Sequence, residues 1–162
     1  MRIGEILIIG PKSVGKEALL QKLCTQIETH EKGFELGLLP LDNEILLHFY
    51  GIPWSHYARS TAWDLIASKA LGAIILFDWA RPETVKTAEE IVEFFQMNAT
   101  LPILVASKIE GDEASKIAIH AYSGGLQLSR SCKFTFYHPE QTDSLRQLIV
   151  DLVNINLEQL AV

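Results

Sequence analysis

The sequence predicts a three-layer α/β domain with about six mostly parallel strands, and three observations carry that prediction. Ile3 to Ile9 is an apolar run of strand length that leads into Gly10-Pro11-Lys12-Ser13-Val14-Gly15-Lys16 and then into a stretch of helical period. Leu71 to Phe77 and Ile103 to Ala106 are nearly all apolar, as strands covered on both faces of a parallel sheet must be. Segments of helical period alternate with these runs, which is the order that parallel crossovers require.

Each element has its own signal. Glu17 to about Glu28 reads as a helix with Leu19, Leu20, Leu23 and Ile27 on one face. Phe34 to Leu41 and Glu44 to Tyr50, joined by Asp42-Asn43, read as an antiparallel hairpin, with Gly51-Ile52-Pro53 stopping its second strand. Ser55 to Ser68 reads as an Ala-containing helix that offers Trp63 and Leu65 for packing. Pro82 suits a first helical turn, and the helix from Glu83 to about Met97 is expected to bury Val85, Ile91, Phe94 and Phe95. Ala114 to Ala121 reads as a short helix, Phe134 to Tyr137 as a last strand, and Asp143 to about Leu160 as a closing helix with Leu145, Leu148, Ile149, Leu152 and Leu160 inward.

With 162 residues and no internal repeat or linker, the chain is read as one domain, residues 1–162. Lys and Arg number 14 against 20 Asp and Glu, a net charge of −6 without a basic block, which disfavours nucleic-acid binding. Apolar runs stay far below the roughly 18 residues that cross a bilayer, and Met1 to Glu5 lacks the layout of a secretory signal, so a cytoplasmic location is expected. Cys24 and Cys132 need no disulfide in a chain of this kind and give a poor zinc signal, and Cys24, in the apolar helical stripe, reads as a buried thiol without chemistry.

Gly, four residues, then Gly-Lys after a strand is the pattern of a phosphate loop. Its glycines let backbone N–H groups converge on phosphate oxygens, and its lysine reaches the outer phosphates. Gly10, Ser13, Val14, Gly15 and Lys16 are therefore the candidate ligand-binding residues, with Glu17 beside them. The loop normally continues with Ser or Thr, whose hydroxyl ligates magnesium. Glu17 replaces it with a carboxylate that repels triphosphate, or that serves as a helix-start acid and fills the anion position itself.

On these residues, and over nearly its whole length, the chain resembles the small Ras-like GTPases. The match is narrower with the bacterial and archaeal predicted small GTPases related to gliding-motility polarity GTPases and their roadblock-partnered relatives. It is strongest in Ile6 to Leu23, Leu46 to Pro53, Leu71 to Asp78 and Leu101 to Glu110. The resemblance implies a P-loop G-domain and a guanine nucleotide with magnesium. It also implies a base-reading Asn-Lys-x-Asp motif, at whose place this chain has Ser107-Lys108-Ile109-Glu110. Lys108 and Glu110 retain stacking and acceptor chemistry, so they join the candidate nucleotide-binding residues; the alternative is that Ser107, Lys108 and Glu110 are solvated loop residues. The later base loop is replaced by Tyr137-His138-Pro139-Glu140.

The switches depart further. Only Thr29 is available for the first switch, and it adjoins the predicted helix. Trp54 and Ser55 stand where the second switch carries its sensing glycine and water-orienting glutamine; the shifted register, with Gly51 as that glycine, puts His48 at the aspartate position. Four altered motifs on one frame imply a degenerate GTPase, or pseudo-GTPase, that binds GTP or GDP weakly or not at all, with magnesium coordination impaired and no catalytic residue assigned. The alternative is an atypical GTP-binding switch with weak or partner-dependent hydrolysis.

A dead switch leaves its surface to do the work. His48, Tyr50, Trp54, His56, Tyr57 and Trp63 gather near the second switch, and a partner surface including Trp54 and Tyr57 is expected. The resemblance suggests roadblock/longin-type regulators as protein partners. A metal site from His48, His56 and Glu17 is weakly supported, and no nucleophile elbow is present. An ATPase or small-molecule kinase is disfavoured, because Asp78 after the central strand points toward the base side in this resemblance.

Overall fold

The computed structural model describes residues 1–11, 14–30, 34–57, 62–98, 100–109 and 132–160. The strands are β1 (Arg2–Gly10), β2 (Gln26–Thr29), β3 (Glu35–Pro40), β4 (Ile45–Pro53), β5 (Gly72–Asp78), β6 (Ile103–Lys108) and β7 (Cys132–Tyr137). They form one mixed, mostly parallel sheet in the order β2-β3-β4-β1-β5-β6-β7, in which β2–β3 and β3–β4 are the antiparallel pairs. The helices are α1 (Lys16–Leu23), α2 (Trp54–Tyr57), α3 (Ala62–Ala67), α4 (Pro82–Asn98) and α5 (Thr142–Leu160).

The sheet is covered on both faces. Ile6 and Ile8 of β1 and Leu47 and Phe49 of β4 face Leu19, Leu20 and Leu23 of α1 and Leu145, Leu148 and Leu152 of α5. The alternate residues Leu7, Ile9 and Ile52 face Trp63 of α3 and Ala88, Ile91, Val92 and Phe95 of α4. That period-2 division of β1 between two cores is why its sequence is apolar without interruption. Asn156 of α5 donates through Nδ2 to the Leu71 carbonyl at 2.9 Å, fixing the closing helix to the start of β5.

The α/β class, the β3–β4 hairpin and the closing helix follow the sequence, whereas several details differ. The sheet has seven strands rather than about six, because the first helix ends at Leu23 and residues 26–29 become an edge strand. Cys24 is thus extended (φ −94°, ψ 148°) rather than helical. Ile27 reaches the same core from β2. β4 does not stop before Gly51: it continues through Pro53, where Ile8, Ile9 and Gly10 of β1 pair with Gly51, Ile52 and Pro53. The Ser55–Ser68 helix is replaced by α2 and α3, and Leu65 is 72% exposed because Trp63 and Ala67 form the inward side of α3. In α4, Val85 and Phe94 are only half-buried. β6 runs on to Lys108, and β7 begins at Cys132 rather than Phe134. The predicted 114–121 helix lies outside the described residues, as does the side chain of Leu160.

The hairpin turn is fixed by Asp42, whose Oδ1 accepts from the backbone N–H groups of Glu44 at 2.7 Å and Ile45 at 2.8 Å. Asp42→Ala removes both hydrogen bonds at an exposed site, and a loss of about 1 kcal/mol in urea unfolding is expected. Both cysteines are free; burial pushes the Cys24 thiol up to about 12 and the Cys132 thiol to about 11, so neither ionises readily.

Candidate functional site

β1 delivers the loop to the end of the sheet. A Cβ on Gly10 would lie 2.7 Å from the Leu76 carbonyl oxygen of β5 and 3.1 Å from Cγ2 of Val14, so bare backbone is required there. Val14 is completely buried in the α1 and α5 core, and its side chain anchors the loop; only its backbone is left to meet a ligand. Gly15 adopts the left-handed region at φ 96°, and a Cβ there would meet open space. No side chain caps α1 at Gly15, so the first-turn N–H groups of the helix lack that partner. Gly10, Val14, Gly15, Lys16 and Glu17 are therefore brought together, while Lys12 and Ser13 lie outside the described residues.

Lys16 turns back onto its own loop. Its Nζ donates to the carbonyls of Gly10 and Pro11, both at 3.1 Å. Burial pushes its ammonium down from 10.5 to about 8, against the opposing pull of Glu17 and then Glu35. Glu35 arrives from the first residue of β3, opposite Gly51 of β4. Leu20 Cδ1 of α1 stands 2.8 Å from where a Gly51 Cβ would be, and Glu35 Cβ stands 3.9 Å from the same point. The absence of a side chain at Gly51 thus lets α1 and Glu35 share one side of the sheet. Burial, then the charge of Glu17 and a hydrogen bond with it, raise the Glu35 carboxyl, while Lys16 acts in the opposite sense.

The neighbouring strand ends are tied to one another. Ser107 is fully buried, its Oγ accepting from the Trp79 N–H at 3.0 Å, so it is a loop tie rather than a solvated residue. Lys108 Nζ lies 3.8 Å from Asp78 Oδ2, and Arg81 Nε lies 3.5 Å from the same oxygen. Asp78 also accepts from the Ala80 N–H through Oδ1 at 3.0 Å. Tyr137, at the end of β7, has its hydroxyl raised by burial and then by Asp78. Lys22 of α1 donates to the Pro139 carbonyl at 2.9 Å and to Glu140 Oε2 at 2.8 Å, holding the β7–α5 loop. Glu110 lies outside the described residues, so Lys108 alone represents that motif's candidate pair here.

No protein-family model matches this chain, and no curated protein matches it.

The aromatic group divides between packing and surface. Trp54 meets Phe94 of α4 edge to face at 5.4 Å, and Trp63 is buried against Phe34 at 4.8 Å and Tyr50 at 6.3 Å. Tyr50 continues to His48 at 6.4 Å, and burial followed by the charge and hydrogen bond of Glu5 raises its hydroxyl. The side chains of His56 and Tyr57 lie outside the described residues. His48 faces away from the α1 side on which Glu17 sits, because Leu47 and Phe49 on either side of it point toward α1. Among the described residues no group of three or more His, Cys, Asp or Glu side chains is placed to hold a metal, and no helix is long and apolar enough to cross a membrane.

Sequence reading missed Glu35, Phe34 and Lys22. Glu35 is 19 positions from Lys16, and only the β3–β4 and β4–β1 registers bring it to the side of the loop. Lys22 alone carried a readable signal, as a basic residue in the last turn of α1.

Proposed function

We propose that the chain is a degenerate Ras-like G-domain, a pseudo-GTPase that acts as a protein-interaction or regulatory module without efficient GTP hydrolysis. The observation that carries this reading is Lys16, satisfied by the Gly10 and Pro11 carbonyls and flanked by Glu17 and Glu35. A triphosphate entering that loop meets two carboxyl groups before it meets an available cation. Two like charges about 4 Å apart at an effective dielectric near 20 repel by about 4 kcal/mol, close to three orders of magnitude in affinity. The ties of Lys108 to Asp78 and of Lys22 to Glu140 extend the same self-neutralisation along the strand ends. Magnesium nucleotide does not fit this donor set, and no catalytic step is assigned through it.

Calorimetric titration of the purified protein with GTP, GDP and ATP in magnesium is expected to give affinities weaker than about 0.1 mM. Micromolar GTP binding with turnover that disappears in Lys16→Ala overturns the reading.

The atypical switch keeps one observation in its favour: the open space at Gly15 and the uncapped first turn of α1 still offer backbone donors. Under that reading Glu17→Thr tightens magnesium-GTP binding at least tenfold; under the leading one Glu35 still opposes the ligand and the change stays below threefold. A protein partner, of roadblock/longin type by resemblance, is the expected readout of the module. The acidic charge balance supports neither a nucleic-acid partner nor an anionic surface.

A further inference from the structure

The α3 side of β2, β3 and β4 carries an apolar strip that belongs to neither core. Trp63 of α3 reaches its upper end, against Phe34 and Tyr50. Below that contact Leu36, Leu38 and Leu46 are only half-buried and Ile3 is 55% exposed, and neither core includes any of the four. Leu36 stands opposite Glu28, Leu38 opposite His48, and Leu46 opposite Ile3, so the four run down one face. The ionisable groups of that face are Glu28, His30, His48 and Glu5, the last bonded to the Tyr50 hydroxyl. Among the described residues these strands place no Lys or Arg on it.

α5 carries a surface of matching chemistry. Val150 is 48% exposed, Val153 37% and Leu157 56%, on the side of the helix away from Leu145, Leu148 and Leu152. Spacings of three and four residues place Asp143, Arg146, Val150, Val153 and Leu157 on one stripe, with Arg146 its one cation. Asp151 and Glu158 lie on the flank, where Gln147 donates to Asp151 at 2.9 Å.

We propose that a second copy of this chain lays its α5 along the open face of the first, parallel to β3. Asp143 to Leu157 spans about 21 Å of helix, and Phe34 to Pro40 spans about 20 Å of strand. Aligned in that direction, Asp143 comes beside His30 and Arg146 beside Glu28. Val150 and Val153 then cover Leu36 and Leu38, and Leu157 covers Leu46 and Ile3. The reverse direction sets Arg146 on the apolar end and Leu157 on Glu28. The two surfaces are different, so each copy in contact keeps one face or one helix free, and further copies add head to tail. The net charge of −6 opposes the approach of two copies, and salt of about 0.15 M, with a Debye length of about 8 Å, screens it. This goes beyond the pseudo-GTPase reading and requires no nucleotide.

Sedimentation equilibrium of the full-length protein at that salt, from about 10 μM to about 1 mM, tests it. The wild-type average mass is expected to climb with concentration past that of a dimer. Leu38→Lys, which spoils the sheet face, and Val153→Lys, which spoils the helix, should each weaken self-association at least tenfold. Their equimolar mixture should recover a complex that stops at two copies, because one variant keeps an intact helix and the other an intact face. Glu28→Arg and Arg146→Glu are each expected to weaken association about fivefold, and the double variant to restore it. Both of those sites are exposed, so they carry the test should Leu38→Lys fold poorly. A wild type that stays monomeric over the whole range overturns the proposal. So does a double charge variant no better than its parents, or a mixture of the two folded lysine variants that stays monomeric. Association lost in Val153→Lys yet kept in Leu38→Lys and Glu28→Arg overturns it as well, since α5 then pairs with a second α5.

Discussion

Gly10→Ala is expected to destabilise the protein by about 3 kcal/mol, with no ligand present. The added methyl would sit 2.7 Å from the Leu76 carbonyl oxygen and 3.1 Å from Val14 Cγ2. Leu76 is a fully buried residue of β5, and β1 is hydrogen-bonded to β5 only a few residues earlier, so the backbone oxygen cannot retreat without disturbing the centre of the sheet. Val14 is likewise enclosed by the α1 and α5 core. Gly15→Ala is the informative comparison: it meets no atom and pays only for the left-handed backbone, about 1–2 kcal/mol. A phosphate-binding role alone predicts that neither change matters without nucleotide. Urea unfolding of the ligand-free proteins should therefore rank Gly10→Ala below Gly15→Ala below wild type, and a Gly10→Ala protein within 0.5 kcal/mol of wild type, a margin typical of neutral surface changes, refutes the packing account.

That distinction bears on what the sequence made legible. The run from Ile6 to Ile9 and the run from Gly72 to Phe77 announced central strands because both of their faces are buried, and burial on both faces leaves no polar positions to confuse the period. Residues 24–29 were misread because Leu19, Leu20, Leu23 and Ile27 satisfy a helical period, while Thr25, Ile27 and Thr29 satisfy a strand period just as well. The β-branched residues in that stretch favour the strand, and pairing of Ile27 with Gly37 decides it. Gly37 itself is explained only in three dimensions: a Cβ there would fall 2.5 Å from Cys24 Sγ. At the candidate site the loop residues were visible as a contiguous motif. Glu35 was not, because its approach to the loop depends on the antiparallel β3–β4 register, the parallel β4–β1 register and the missing side chain at Gly51. Ser107 was visible as an altered motif position, but its burial and its bond to Trp79 belong to the β5–β6 pairing.

Lys16→Met is expected to reverse its effect on stability with pH. The folded protein holds the Lys16 ammonium down to about 8, below the usual 10.5, so the unfolded chain is the better proton acceptor. Below about 8 both states are protonated and the full penalty of the buried charge weakens the wild type. Between about 8 and 10.5 the native state releases its proton first, and wild-type stability rises relative to Lys16→Met, by up to about 3 kcal/mol before allowance for partial solvent access. Methionine keeps much of the aliphatic stem but has nothing to titrate, and the tyrosines common to both proteins cancel in the difference. At pH 7 the variant forfeits two hydrogen bonds to the Gly10 and Pro11 carbonyls, each worth about 1 kcal/mol, and escapes the desolvation penalty, so it should be slightly the more stable. By pH 10.5 the wild type should lead. Paired urea titrations across that range read the crossing directly. A difference that stays constant with pH would mean that water reaches the ammonium freely; Lys16 would then be open to an incoming anion, and the reading of the loop as closed on its own carbonyls would fall.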